Sequence, residues 1–234
     1  MFAGVSGFSY SSWVGTFYPE GLKSEEFLAY YSKHLGSVEI NSSFYAPPSS
    51  AMVKGWSVKV GPEFRFAFKA PRLITHTLKL GQGASEASVK LASTLSGLGP
   101  RLGPILFQLP PFTKADGHLL SEFLSETRGV KPKVFEFRHP SWFIDSTYRL
   151  LEEHGAGFCI ADTEDLEPTF KVTGEFTYFR LRKNSYDWKE LDGWSKKISR
   201  LSDGASECYV YLRHDETGEN AILAQKLWKS LQGA

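Results

Sequence analysis

The sequence is poor in sulfur: its 234 residues include two cysteines, Cys159 and Cys208, and two methionines. Each cysteine sits in an apolar, strand-like run with no CxxC spacing nearby. Neither a disulfide framework nor a thiolate metal site is therefore expected, and both thiols read as core residues. No apolar run approaches the roughly 20 residues that cross a bilayer. The opening MFAGVSGFSY lacks the basic and apolar regions of a signal peptide, so a cytosolic location is the expectation. An excess of one charge is missing too: 27 Lys and Arg face 26 Asp and Glu, for a net charge of +1. The first 117 residues carry 11 basic and 7 acidic side chains, the remainder 16 and 19, so neither half has the basic excess usual in duplex-DNA binders. GxGxxG, P-loop and HExxH patterns are all absent, and Gly81-Gln82-Gly83 has no third glycine and follows no strand. Gly4-Val5-Ser6-Gly7 falls short of GxSxG, which argues against a hydrolase serine.

What is present is the composition of an ordinary globular chain, 41% hydrophobic and 23% charged. Short β-type runs alternate with amphipathic helical stretches from end to end, the rhythm of parallel βαβ units. Strands are predicted near 2–6, 37–42, 64–70, 104–109, 133–138, 157–162, 176–182 and 207–213. Helices are predicted near 24–35, 49–59, 84–97, 117–128, 145–154, 188–201 and 219–231. Breakers such as Gly36, Gly61-Pro62, Gly99-Pro100, Pro110-Pro111, His139-Pro140 and Gly155 fall at the junctions. The fold class is α/β: one TIM-type (β/α)₈ barrel of parallel strands, spanning residues 1–234 as a single domain. The link 163–175 is too polar and short for a good helix, so the helix between the sixth and seventh strands is irregular or missing.

In such a barrel the active face lies at the C-terminal ends of the strands. Side-chain alternation then says what points inward. In Val38-Glu39-Ile40-Asn41 the apolar residues suit the helix layer, leaving Glu39 and Asn41 toward the axis. The same rule turns Lys69, Glu136, Arg138, Arg180 and Arg182 inward, while Phe66, Phe68, Phe135, Phe137, Phe179 and Leu181 face out. Ser6, Gln108 and Asp162 end their strands at the equivalent height, and either Arg213 or His214 faces in from the eighth strand.

These residues also carry a family resemblance. SGFSYSSWVGTFYPEG, VEINSSFYAPPS, FRFAFKAPRLITH, LGPILFQLPP, FEFRHPSW and YVYLRHDETGENA occur in order over nearly the whole chain, and they resemble the successive blocks of the YecE-like family. The resemblance implies a TIM-type barrel and supplies no established reaction. Two stretches depart from the family pattern. Where members commonly have Arg-Leu-His-Gly, this chain has Arg180-Leu181-Arg182-Lys183, and where they have paired asparagines it has Arg213-His214. Both replacements add positive charge at the barrel mouth.

Burying so many charges costs several kcal/mol each unless they pair or meet a ligand. A purely structural salt-bridge network is one reading, and a cation-rich pocket for a phosphate or carboxylate is the other. In the pocket reading Glu39 and Glu136 are general acid/base candidates, because a neighbouring carboxylate raises one pKa. Asp162, Lys69 and His139 complete the catalytic candidates, Lys69 acting as a plain cation or as a Schiff-base amine. Arg138, Arg180 and Arg182 form the expected anion clamp, with Ser6, Asn41, Tyr45, His76 and Gln108 as further binding residues. The interleaved cations argue against a metal at Glu39, Glu136 and Asp162, so no metal and no cofactor is expected. Tyr10, Trp13, Phe17, Tyr18, Phe44, Tyr45, Tyr186 and Trp188 follow strand ends, where aromatics either plug loops together or stack on a sugar or base.

The leading expectation is therefore acid/base chemistry on a small anionic substrate, by a hydrolase, lyase or isomerase. The alternatives are a protein acting on a nucleic-acid end or flipped base, and a noncatalytic ligand-binding barrel. No membrane partner is expected, and the sequence leaves the oligomeric state open.

Overall fold

The computed structural model describes residues 1–233. Its strands are β1 (Phe2–Val5), β2 (Ser37–Ile40), β3 (Arg65–Lys69), β4 (Leu102–Gln108), β5 (Lys133–Glu136), β6 (Gly157–Asp162), β7 (Phe176–Leu181) and β8 (Glu207–Leu212). All neighbours pair in parallel, in the order β1-β8-β7-β6-β5-β4-β3-β2. The ring is nearly closed. Between β1 and β2 the ladder shrinks to a parallel bridge at Ser6 and Glu39, where the Gly7 amide donates to the Glu39 carbonyl at 2.9 Å.

The helices on the outside are α1 (Phe27–His34), α2 (Ser50–Ser57), α3 (Ala84–Leu95), α4 (Gly117–Glu126), α5 (Asp145–Glu153), α6 (Trp188–Leu201) and α7 (Glu219–Gln232). The first six lie within the segments that periodicity assigns to them, and α7 runs one residue beyond its own. Their starts are chemically marked: Ser49 and Asp116 cap α2 and α4, and Asp187 with Glu190 forms a capping box on α6. Residues 163–175 join β6 to β7 without a helix, as their polarity predicts.

One side chain explains how the seam holds. The Tyr31 hydroxyl accepts from the Val5 amide at 2.9 Å and donates to the Ser37 carbonyl at 3.0 Å, standing in for ladder bonds that β1 and β2 do not make. Gly4 permits this approach. A Cβ there would lie 1.8 Å from the Ser37 carbonyl oxygen, inside any contact distance.

Two apolar layers follow from alternation. Phe66, Phe68, Phe107, Phe135 and Phe179 face the helices. Ala67, Leu106, Val134, Cys159, Tyr178, Tyr209 and Tyr211 fill the barrel interior. That plug closes the barrel from below and leaves the ends of the same strands to carry polar groups upward.

Candidate functional site

The polar layer sits on the plug because the inward positions change character toward the strand ends. Ala67 gives way to Lys69, Leu106 to Gln108, Val134 to Glu136, and Tyr178 to Arg180. Its centre is Arg180, only 1% exposed. The guanidinium donates from Nε to Glu39 Oε1 at 2.9 Å and from Nη2 to Glu39 Oε2 at 2.8 Å. It donates from Nη1 to Glu136 Oε2 at 2.5 Å. One buried cation on β7 thus bridges two buried carboxylates, from β2 and from β5.

Those carboxylates accept further bonds as well. Glu39 accepts from Ser6 Oγ at 2.7 Å, Asn41 Nδ2 at 3.0 Å and Tyr178 Oη at 2.8 Å. Glu136 accepts from Gln108 Nε2 at 2.7 Å and Arg138 Nε at 3.0 Å. Burial opposes ionisation of Glu39, yet the charges of Arg180 and Arg182, with hydrogen bonds from Arg180 and Ser6, win and hold it at about 2. For Glu136 burial is likewise overcome by Arg180 and Arg138, again leaving a value of about 2. The structure therefore corrects the expectation of a carboxyl with raised pKa. Both glutamates stay ionised across the neutral range, and neither has a proton to give.

Four further expectations change. Arg180 is removed from the anion clamp, since its donors are spent on Glu39 and Glu136. Asp162 does not join the layer: Cys159 and Ala161 are the inward residues of β6, so Asp162 faces the helix side. There it accepts from Tyr186 Oη at 2.9 Å and lies 3.5 Å from Lys183 Nζ. His139 caps the turn after β5, where Nδ1 accepts from the Ser141 amide at 3.2 Å and lies 2.8 Å from Ser141 Oγ. Tyr45 is 84% exposed on the rim, stacked edge-on against Phe44 and away from the polar layer.

Above the layer opens a cavity of about 580 Å³, lined among others by Glu136, Arg138, Thr163, Glu164, Arg182, Arg213 and His214. Its volume suits a small molecule. Both Arg213 and His214 line it, so the choice between them posed by the β8 phase does not arise. Of the four cationic or imidazole groups at the positions that depart from the family pattern, Arg182, Arg213 and His214 face this space, while Lys183 turns to Asp162.

Arg182 is the least satisfied group there. Nη1 donates to Ser6 Oγ at 2.6 Å, and no carboxylate lies within 4.0 Å of the guanidinium among the described residues. Burial and the adjacent positive charge of Arg180 pull it down to about 10, which is low for an arginine. Arg213 donates to Asn184 Oδ1 at 2.6 Å and likewise has no carboxylate partner. Burial, then Arg182 and Arg213, lower the His214 pKa, and its ring stacks on Tyr10 at 5.0 Å.

Lys69 stands apart from the carboxylates. Its Nζ lies 4.1 Å from the centre of the Phe44 ring, and burial, followed by the charge of Arg180, lowers it to about 8. His76, from the helical turn Leu73–Thr77 after β3, packs edge-on to the same ring at 4.9 Å. Burial and then Lys69 lower the His76 pKa as well. One atom of the layer is unsatisfied: the buried Asn41 Oδ1 finds no donor among the described residues. No three His, Cys, Asp or Glu side chains are grouped to hold a metal ion among the described residues. No helix among them is long and apolar enough to cross a membrane.

Residue-by-residue reading of the sequence omitted Tyr178, although it shares the inward phase of Arg180 two positions on. It also left the Phe44 ring as one rim aromatic among several, because its contact with Lys69 crosses from β2 to β3.

The comparisons agree with this architecture. A structure of a DUF72 family protein from Thermotoga maritima MSB8 superimposes with a TM-score of 0.87 at 30% identity, covering 99% of this chain and 98% of that one. The DUF72 family protein of Enterococcus faecalis V583 shares the fold at TM-score 0.78 and 20% identity, over 97% and 95% of the two chains. Among curated sequences, the UPF0759 protein YecE of Escherichia coli K12 is 31% identical over 169 residues. That match covers 70% of this chain and 59% of the relative's length. The UPF0759 protein YunF of Bacillus subtilis 168 is 25% identical over 244 residues, covering 87% and 86%. Residues 2–234 match the family described as "Protein of unknown function DUF72", and the chain belongs to that family.

Proposed function

We propose that the barrel mouth binds the phosphate or carboxylate group of a small substrate and carries out proton-transfer chemistry on it. The observation that carries this reading is Arg182, a half-buried arginine whose hydrogen-bond partner is a serine hydroxyl and which has no carboxylate within 4.0 Å among the described residues. A cation held in that state is relieved by an anion, and a guanidinium fork suits the oxygens of phosphate or carboxylate. Arg138 and Arg213 line the same cavity, and Arg138 keeps donors free beyond its bond to Glu136. The glutamates serve as fixed negative charges that position Arg180 and Arg138. Proton transfer falls to Lys69, whose value of about 8 lies near the working range of an acid/base group, and to His76, whose neutral form is favoured by burial and by Lys69.

The test is a thermal melt of wild type and Arg182→Met, each with and without inorganic phosphate. Phosphate should raise the wild-type midpoint and leave the variant's own midpoint unchanged; the variant loses the contact to Ser6 and a cation that helps hold Glu39 ionised, so each protein is compared with itself. A wild-type midpoint indifferent to phosphate would remove the anion site.

A further inference from the structure

Lys69 differs from every other lysine of the chain in its surroundings. It leaves β3 toward the barrel axis, where Glu39 and Glu136 are already paired with Arg180 and Arg138. Its Nζ makes no hydrogen bond or ion pair among the described residues and rests on the face of Phe44 at 4.1 Å. The cations Arg180 and Arg138 act on it, and so do the anions Glu39 and Glu136. His76 touches the same Phe44 ring from the side. Its Nδ1 lies 2.9 Å from Thr75 Oγ1, which leaves the other ring nitrogen without a partner among the described residues.

We infer that Lys69 is a nucleophile that forms an imine with a small carbonyl compound, and that His76 carries the protons of that step. The further claim that the carbonyl compound bears an anionic group rests on the anion site proposed above, with Arg138 common to both because it lines the cavity and acts on Lys69.

The step balances without any redox partner. The neutral Nζ lone pair attacks the carbonyl carbon, the C=O π pair moves to oxygen, and that oxygen takes a proton. The nitrogen then gives up a proton, the carbinolamine oxygen takes another and leaves as water, and a protonated C=N bond remains, which becomes the neutral imine on losing that proton. Hydrolysis returns the amine and the carbonyl compound. A neutral histidine, able to donate at one nitrogen and accept at the other, suits both transfers.

The environment favours this role in two ways. An amine with a value of about 8 is neutral in about a tenth of molecules at pH 7, roughly a few hundred times more than a lysine at the ordinary 10.5. The contact with Phe44 also holds the side chain in one place instead of leaving it free to sweep through solvent. Lys133 supplies the contrast. Burial and then Lys131 bring it also to about 8, but its Nζ lies 2.9 Å from Thr127 O and 3.3 Å from both Leu124 O and Thr127 Oγ1. A depressed value alone does not make it available.

The experiment is reductive trapping on the full chain near neutral pH with sodium cyanoborohydride, using pyruvate as the anionic carbonyl and acetone as the uncharged one. Adducts are located by peptide mass spectrometry, with Lys69→Arg retaining a cation over Phe44 as the folded control. Pyruvate should label Lys69 at least about tenfold faster than any other lysine, Lys133 should stay unmodified, and inorganic phosphate should slow the labelling. The Lys69→Arg variant should lose the dominant adduct. If neither carbonyl labels Lys69 above the surface lysines, the nucleophile is overturned, while the anion site still stands on its phosphate-dependent melt. If acetone labels Lys69 as fast as pyruvate and phosphate has no effect, the nucleophile stands and the anionic half fails together with that site.

Discussion

Arg180 links Glu39 and Glu136 through three charge-assisted bonds while almost wholly out of water, and Arg138 is the one further ion-pair partner, on Glu136. Arg180→Met keeps much of the stem's packing but takes from Glu39 its ion-pair partner and leaves Glu136 with Arg138 alone. Loss of one member of a buried ion pair typically costs about 3–5 kcal/mol, and the variant should unfold at correspondingly lower denaturant in an equilibrium titration. The same pairs set the acid limit of the protein. Glu39 and Glu136 lie at about 2 in the folded chain against an ordinary 4.5, because the arginines outweigh burial. Between those values the unfolded chain binds more protons than the folded one, so stability rises with pH there. The stabilisation is complete above about pH 4.5 and is lost as the pH falls toward about 2. Unfolding free energies measured across that window should slope downward on acidification, and Glu136→Gln should flatten the slope. An unchanged slope would mean that this carboxyl is not held down by its neighbours.

At the scale of elements, the seam between β1 and β2 is where the barrel is least paired, and Tyr31 of α1 is what fills it. Tyr31→Phe leaves the Val5 amide and the Ser37 carbonyl buried without partners, a loss of about 1–3 kcal/mol. Amide exchange at Val5 should accelerate more than at β5 or β7 positions, because only the seam loosens. Such a tertiary substitution for ladder bonds left no trace in the local pattern around Tyr31, which reads as one more apolar position of an amphipathic helix. The strands themselves were legible where their two faces differ. Phe-Arg-Leu-Arg at 179–182 and Phe-Glu-Phe-Arg at 135–138 alternate apolar with charged residues, so the period of two assigns the inward side without ambiguity. β6 offers no such contrast. Gly157-Phe158-Cys159-Ile160-Ala161 is apolar on both faces, and the position of Asp162 at its end could not be phased from it. The pairing of Arg180 was hidden for a different reason: it spans the ring from β7 to β2 and to β5, a distance set by barrel closure and not by any spacing along the chain.

Taken as a whole molecule, the chain has almost no net charge, so a positive field at the mouth is local and short-ranged. This separates a small anionic ligand from a nucleic acid by their response to salt. A site built on Arg182, Arg138 and Arg213 within a cavity of about 580 Å³ holds one anionic group by oriented hydrogen bonds, and those bonds are made to phosphate but not to chloride. At fixed ionic strength, replacing chloride by phosphate at about a hundred times its dissociation constant should therefore add about 2.7 kcal/mol, or about 5–11 °C in the melting midpoint of a chain this size. Raising chloride alone should do little, since Arg182 and Arg138 are partly buried and weakly screened, Arg213 alone of the three being exposed. Single-stranded nucleic acid would behave otherwise, because its affinity comes from released counterions and falls with a logarithmic salt slope near −0.7 per phosphate contacted. Melts with phosphate and chloride at matched ionic strength, run beside oligonucleotide binding from low to high salt, decide between them. A midpoint that follows phosphate, with weak oligonucleotide binding, supports the small-ligand site. A midpoint that follows only ionic strength, with tight and steeply salt-dependent oligonucleotide binding, would reassign the arginines of the mouth to a nucleic-acid backbone.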